Sequence, residues 1–79
     1  MSFANVTNES MRGRLVYQAI ERYVNWREAC AAVSDAYEQW SRAAADKRPL
    51  SFAAYRAALD QEESAATLYG AVINLIAAA

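Results

Sequence analysis

The sequence predicts an all-α fold in which two long antiparallel helices form a coiled-coil-like helical hairpin that dimerises into a four-helix bundle. The 79 residues include only two glycines and one proline, so residues that break helices are rare. One polar segment, DKRPLS at residues 46–51, separates two stretches that are rich in helix-forming residues. In both stretches apolar residues recur at alternating steps of three and four, which is typical of helices that pack along a seam.

The first helix is expected over residues 9–45. The preceding residues 1–8 lack apolar periodicity and are expected to form a flexible N-terminus. Thr7 or Asn8 is suited to cap the helix, because its side-chain oxygen can accept a hydrogen bond from the first turn. We expect the remainder of the chain, residues 9–79, to form a single domain, because so short a chain builds one core at most.

The loop is expected over residues 46–51. Pro49 disfavours a helical conformation at Arg48, the residue before it. Ser51 is a residue type that favours the N-cap position, so the second helix is expected over residues 52–77. A connection this short makes two helices antiparallel neighbours.

Each helix has one seam of mainly apolar residues, in which equivalent positions recur every seven residues. The first seam contains Val16, Ala19, Tyr23, Trp26, Cys30, Val33, Tyr37, Trp40 and Ala44; the second contains Tyr55, Leu59, Glu62, Ala66, Tyr69, Ile73 and Ile76. Antiparallel seams pair positions whose residue numbers have a constant sum, and a sum of 99 aligns the two seams completely. This register predicts that Tyr37 and Glu62 form a polar layer and that Cys30 is a small buried filler.

Glu62 is the carboxylate with a candidate chemical role. A buried carboxylate can have a raised pKa and act as an acid or base, which leaves a catalytic or ligand-binding bundle built on Glu62 and Tyr37 as an alternative. We prefer a structural polar layer that fixes the register. The chain has no histidine and one cysteine, so no metal site, cofactor or enzyme activity is predicted.

The last sixteen residues, 64–79, carry no charged side chain. A membrane span requires about 20 apolar residues, and this shorter segment also contains serine, threonine and asparagine, so no membrane span is predicted. Under the register of 99, residues 9–19 extend beyond the second helix. Because one neighbouring helix covers only one stripe, we expect a second subunit to cover the remaining apolar residues. The predicted interface of this homodimer consists of Leu15, Ile20, Leu68, Val72 and Leu75.

Charge and cysteine content narrow the range of partners and locations. Eight basic and nine acidic residues give a net charge of −1, so nucleic-acid binding is not favoured. A locally basic tip around the loop is nevertheless a candidate anion-binding site, formed by Arg42, Lys47, Arg48 and Arg56. A single cysteine and an N-terminal segment without signal-sequence character predict a cytoplasmic protein.

The predicted function is that of a small non-enzymatic, homo-oligomeric helical protein-interaction module: an adaptor, scaffold or regulator. This interpretation rests on surplus apolar helix surface in a chain too short to be stable without association. The catalytic or ligand-binding bundle is the first alternative. A nucleic-acid-associated regulator that uses the basic tip is the second, and a further protein partner remains open.

Overall fold

The computed structural model describes residues 3–78, which fold into two α-helices joined by a short turn. Helix α1 spans Phe3–Arg42, and helix α2 spans Arg48–Ala78. The helices pack side by side into a rod of 67 × 14 × 13 Å with a radius of gyration of 18.6 Å. A compact domain of this length would have a radius of gyration of about 12 Å. The predicted helical hairpin is confirmed, and no strand is found in the described part of the chain.

Helix α1 begins at Phe3, ahead of the predicted cap. Residues 3–12 contain neither proline nor glycine, so the backbone continues its hydrogen-bonding ladder through Thr7 and Asn8. These two residues therefore lie inside the helix, and most of the segment predicted to be a flexible N-terminus is helical. Residues 1 and 2 of that segment lie outside the described residues.

The turn closes earlier than predicted. Helix α1 ends at Arg42, after which the Ala43 N–H donates to the Trp40 carbonyl over 3.2 Å. The Lys47 N–H then donates to the Ala44 carbonyl over 3.0 Å and closes a tight turn. The alanines after Arg42 favour helix intrinsically, but closure of the hairpin overrides that weak preference.

Helix α2 begins at Arg48, so the prediction that Ser51 caps it is wrong. The Ser51 N–H donates to the Lys47 carbonyl over 3.0 Å, which places Ser51 inside the first turn. Pro49 also lies in this turn, where a missing N–H costs no hydrogen bond and the fixed φ of proline favours the helix. Pro49 therefore marks the start of the helix rather than the loop.

Aromatic residues of the two predicted seams contact each other across the hairpin, but the register is shifted by one heptad. Ring contacts across the hairpin join Tyr23 to Tyr69 at 5.7 Å, Tyr37 to Tyr55 at 5.7 Å and Trp40 to Phe52 at 5.1 Å. The residue numbers of each pair add to 92 rather than to the predicted 99. The turn is centred three to four residues earlier than predicted. Because the sum of paired residue numbers changes by twice that shift, each residue faces a partner seven positions earlier in α2. Residues 3 to about 13 now extend beyond α2, instead of the predicted 9–19.

The helices contact each other mainly along one edge of the seams. Among the side chains of residues 9–78, only Ala19 and Val72 are buried, each 8% exposed. Beside the seams, a column of small residues is half-buried at every seventh position: Ala29 and Ala36 in α1, Ala43 directly after it, and Ala58 and Ala65 in α2. Small side chains allow close approach of the helices on that edge. The other edge of the seams, which carries larger residues, remains open.

Candidate interaction surface

The open edge of the two seams forms a continuous apolar surface, here called the open face. It consists of large side chains that recur every seven residues and are 39–51% exposed: Val16, Tyr23 and Tyr37 in α1, and Phe52, Leu59 and Ile73 in α2. Half-buried Cys30 and Ala66 complete the two rows. Residues seven apart lie on one side of a helix, so each row runs along the rod. The hairpin leaves these two rows of large apolar side chains partly exposed.

A shallow groove of about 450 Å³ shows that both helices contribute to the open face. It lies near the end of the hairpin opposite the turn. Its lining residues are all uncharged: Val16, Ala19, Ile20, Tyr23, Tyr69, Ile73 and Ile76. Because Val16 and Tyr23 of α1 meet Ile73 of α2 in one groove, the two apolar rows lie on the same side of the rod.

Two aromatic clusters with closely similar geometry lie along the open face, and each contributes one tyrosine to it. The first contains Tyr23, Trp26 and Tyr69, and the second contains Tyr37, Trp40 and Tyr55. In each cluster the tryptophan stacks on the tyrosine of α2, with interplanar angles of 10° and 11°. Equivalent members are two heptads apart in both helices. This repeat was not predicted, although Tyr-x-x-Trp occurs in the sequence at 23–26 and again at 37–40.

Glu62 does not form the predicted layer with Tyr37. Its carboxylate accepts a 2.9 Å hydrogen bond from the Trp26 indole N–H in a part-buried setting. Tyr37 instead packs against Trp40 and Tyr55, one heptad nearer the turn than Glu62. The one-heptad shift accounts for both observations, because under the observed register Glu62 lies opposite Cys30. Cys30 is half-buried rather than fully buried.

The predicted interface residues do not form one surface. Val72 is buried within the hairpin, so it is not available to a second subunit. Ile20 is 58% exposed and borders the open face. Leu15 and Leu75 instead line a second groove, of about 520 Å³, which they share with Met11, Arg14, Gln18 and Ala78. Leu68 precedes Leu75 by seven residues on this other side and is 47% exposed.

The basic tip keeps the position expected from sequence. Arg42, Lys47, Arg48 and Arg56 are all exposed at or near the turn. Arg48 also borders the pocket that Trp40, Pro49 and Phe52 line. Anion binding by this tip stays a prediction.

Other classes of site receive no support from the described residues. In residues 3–78 neither helix has a stretch long and apolar enough to cross a membrane. The same part of the chain holds no group of three or more acidic or cysteine side chains placed to bind a metal. No protein-family model matches the chain, and comparisons with curated proteins and with solved structures find no match. The functional interpretation therefore rests on the geometry of the hairpin.

Proposed function

We propose that this chain is a small, non-enzymatic helical protein-interaction module that works as a homo-oligomer, in an adaptor, scaffold or regulatory role. The observation that carries the proposal is the open face. Six large apolar side chains in two parallel rows are left 39–51% exposed along a rod that buries only Ala19 and Val72 among the side chains of residues 9–78. Exposed apolar patches of this extent on a small protein mark interaction surfaces.

The energetics of the hairpin support association. Full burial of a large apolar side chain contributes about 1.5–3 kcal/mol relative to full exposure. Burying the exposed parts of the six open-face residues would therefore contribute on the order of 5 kcal/mol per chain. This gain is similar to the whole stability of a small domain, which is about 5–15 kcal/mol. A two-helix chain with so few buried residues gains most of its stability by association.

The alternative of a catalytic or ligand-binding bundle depended on Tyr37 and Glu62 lying in one layer, and the two residues lie in different layers. Tyr37 lies among aromatic rings, and Glu62 is bonded to Trp26 in a different layer. A cytoplasmic location remains part of the proposal, because a lone, half-buried cysteine suits a compartment that keeps thiols reduced.

The proposal is tested by the mass and the thermal stability of the full chain in solution. Light scattering at micromolar concentration should give at least twice the chain mass of 8.7 kDa. The Tm should also rise with protein concentration, because association stabilises the folded state by mass action. A folded 8.7 kDa species with a concentration-independent Tm would contradict the proposal.

A further inference from the structure

We infer that two copies of this chain dock through their open faces, so that the dimer is a four-helix bundle with the two apolar rows of each copy at its centre. The inference rests on the proposed homo-oligomerisation and adds the stoichiometry and the surface. It assigns the interface to Val16, Tyr23, Tyr37, Phe52, Leu59 and Ile73, rather than to the apolar groove around Leu75.

The accessible area of the single chain supports a second copy as the occupant. The chain exposes 6153 Å², whereas a compact monomer of 8.7 kDa exposes about 4,700 Å². The excess of about 1,400 Å² per chain corresponds to about 2,800 Å² for a pair of chains, within the range of obligate homodimers. One interface of ordinary size for a permanent dimer therefore accounts for the surplus surface.

The shape of the open face suits a two-fold partner. The rows from Val16 to Tyr37 and from Phe52 to Ile73 have equal lengths of about 32 Å, because each covers twenty-one helical steps. Two neighbouring helices with apolar rows of equal length present a flat strip, and the same strip on a second copy can pack against it. A two-fold dimer requires only one such self-complementary surface. The product is a bundle in which every helix contacts two neighbours.

The opposite side of the rod lacks a strip of this kind. Its exposed leucines, Leu68 and Leu75, lie toward the end of the hairpin away from the turn. The groove at Leu75 also contains Arg14 and Gln18, and Leu68 lines a separate pocket with polar residues, Glu63, Ser64 and Thr67. Nearer the turn, the equivalent position on α2 is Gln61. On the outer side of α1, charged residues recur at every seventh position: Arg14, Glu21, Glu28, Asp35 and Arg42. The open face is thus the apolar surface that extends along the rod.

Matched charge substitutions test which side forms the interface. Ile73→Glu and Leu59→Glu introduce a carboxylate on the open face, whereas Leu75→Glu and Leu68→Glu introduce one at leucines that are at least as exposed on the other side. Each variant is measured by light scattering across a dilution series, with circular dichroism as the check on folding. The open-face variants should weaken dimerisation about 100-fold or more, because an unpaired charge would be buried. The two controls should remain within about threefold of the wild type.

A thiol measurement on the unmodified chain tests the same interface without any substitution, so its result does not depend on whether a variant folds. Cys30 lies in the middle of the open face and is half-buried in the single hairpin. Its reaction with a bulky thiol reagent should be slow in the dimer and at least about tenfold faster after dilution into monomers.

Different experimental results would contradict the proposed function and the proposed interface. A wild-type chain that is a folded monomer overturns both. A wild-type oligomer that dissociates with the Leu75 or Leu68 variants, or survives the Ile73 and Leu59 variants, overturns the inference and leaves the proposed function standing. A dimer whose Cys30 reacts at a rate independent of dilution also overturns the inference.

Discussion

The indole N–H of Trp26 donates a 2.9 Å hydrogen bond to the carboxylate of Glu62, thirty-six residues away on the other helix. It is a polar contact between the two helices within a seam that is otherwise apolar and aromatic. The contact forms only when the hairpin has the observed register, since a shift of one heptad would separate the two side chains by roughly 10 Å. Trp26 and Glu62 therefore report the register directly.

The first prediction is that Trp26→Phe destabilises the protein more than Trp40→Phe. Both changes replace an indole with a smaller phenyl ring, and the two indoles stack on a tyrosine at nearly the same interplanar angle. Only Trp26→Phe also removes the donor to a part-buried carboxylate, and a hydrogen bond to a charged group contributes about 1.5–3 kcal/mol before solvent screening. Because Glu62 is only half-buried, we expect an extra loss of about 1 kcal/mol in the free energy of unfolding by urea denaturation. Equal losses for the two variants would contradict the assigned contact.

A second prediction concerns Tyr37. Under the register predicted from sequence, Tyr37→Phe would leave the Glu62 carboxylate without a partner, at a cost of about 1–3 kcal/mol. Under the observed register, the Tyr37 ring packs against Trp40 and Tyr55, and a phenylalanine ring preserves both contacts. The free energy of unfolding should therefore change by less than about 0.5 kcal/mol. A loss above about 1 kcal/mol would favour the sequence-derived register.

The seams were predictable from sequence, because heptad positions depend only on spacing within each helix. The register was not, because it depends on where the turn is centred. Pro49 was assigned to the loop, whereas the first turn of a helix tolerates proline without losing a hydrogen bond. The sum of 99 was chosen because it aligns the two seams completely. A sum of 92 also places seam positions opposite seam positions, so spacing alone does not distinguish the two registers.

The surface left for a partner was harder to predict than the seams. The paired parts of the two seams were expected to cover each other, so the predicted interface lay elsewhere, at Leu15, Ile20, Leu68, Val72 and Leu75. In the structure, small residues such as Ala36 and Ala65 draw the helices together on one edge, and Val72 is buried there. Large residues on the other edge, including Tyr37, are consequently left exposed. The seven-residue spacing of these small residues does predict a close approach of the helices. Spacing alone does not show that this approach leaves the large residues of the seams exposed.

The third prediction tests the start of α2. Loss of an N-cap serine usually costs about 1 kcal/mol, but Ser51 lies inside the first turn. Ser51→Ala should therefore change the free energy of unfolding by less than about 0.3 kcal/mol, or raise it slightly, since alanine is the better helix former. Pro49→Ala should instead lower it by about 0.4–1 kcal/mol, because proline restricts the unfolded chain at a compatible position. Thermal melts of the two variants at equal concentration provide the comparison, and a reversed order would place the cap at Ser51 after all.

The last prediction concerns Gly70, which lies within α2 and is half-buried. A Cβ built at this position meets no atom within 4 Å in the described chain, and its φ is not positive. Alanine should therefore fit the hairpin, and the loss of glycine's backbone freedom should raise the free energy of unfolding by about 0.5–1 kcal/mol.

Gly13→Ala is the matched control, because a Cβ there also meets open space but the residue lies where α1 extends beyond α2. Thermal melts at concentrations above and below the dimer midpoint separate the helix effect from the interface. Gly70→Ala should raise the Tm at both concentrations, because Gly70 lies beside the apolar rows rather than in them. If it raises the Tm of the dilute monomer but lowers that of the dimer, another backbone approaches Gly70 closely, and the dimer contact extends around α2 beyond the open face.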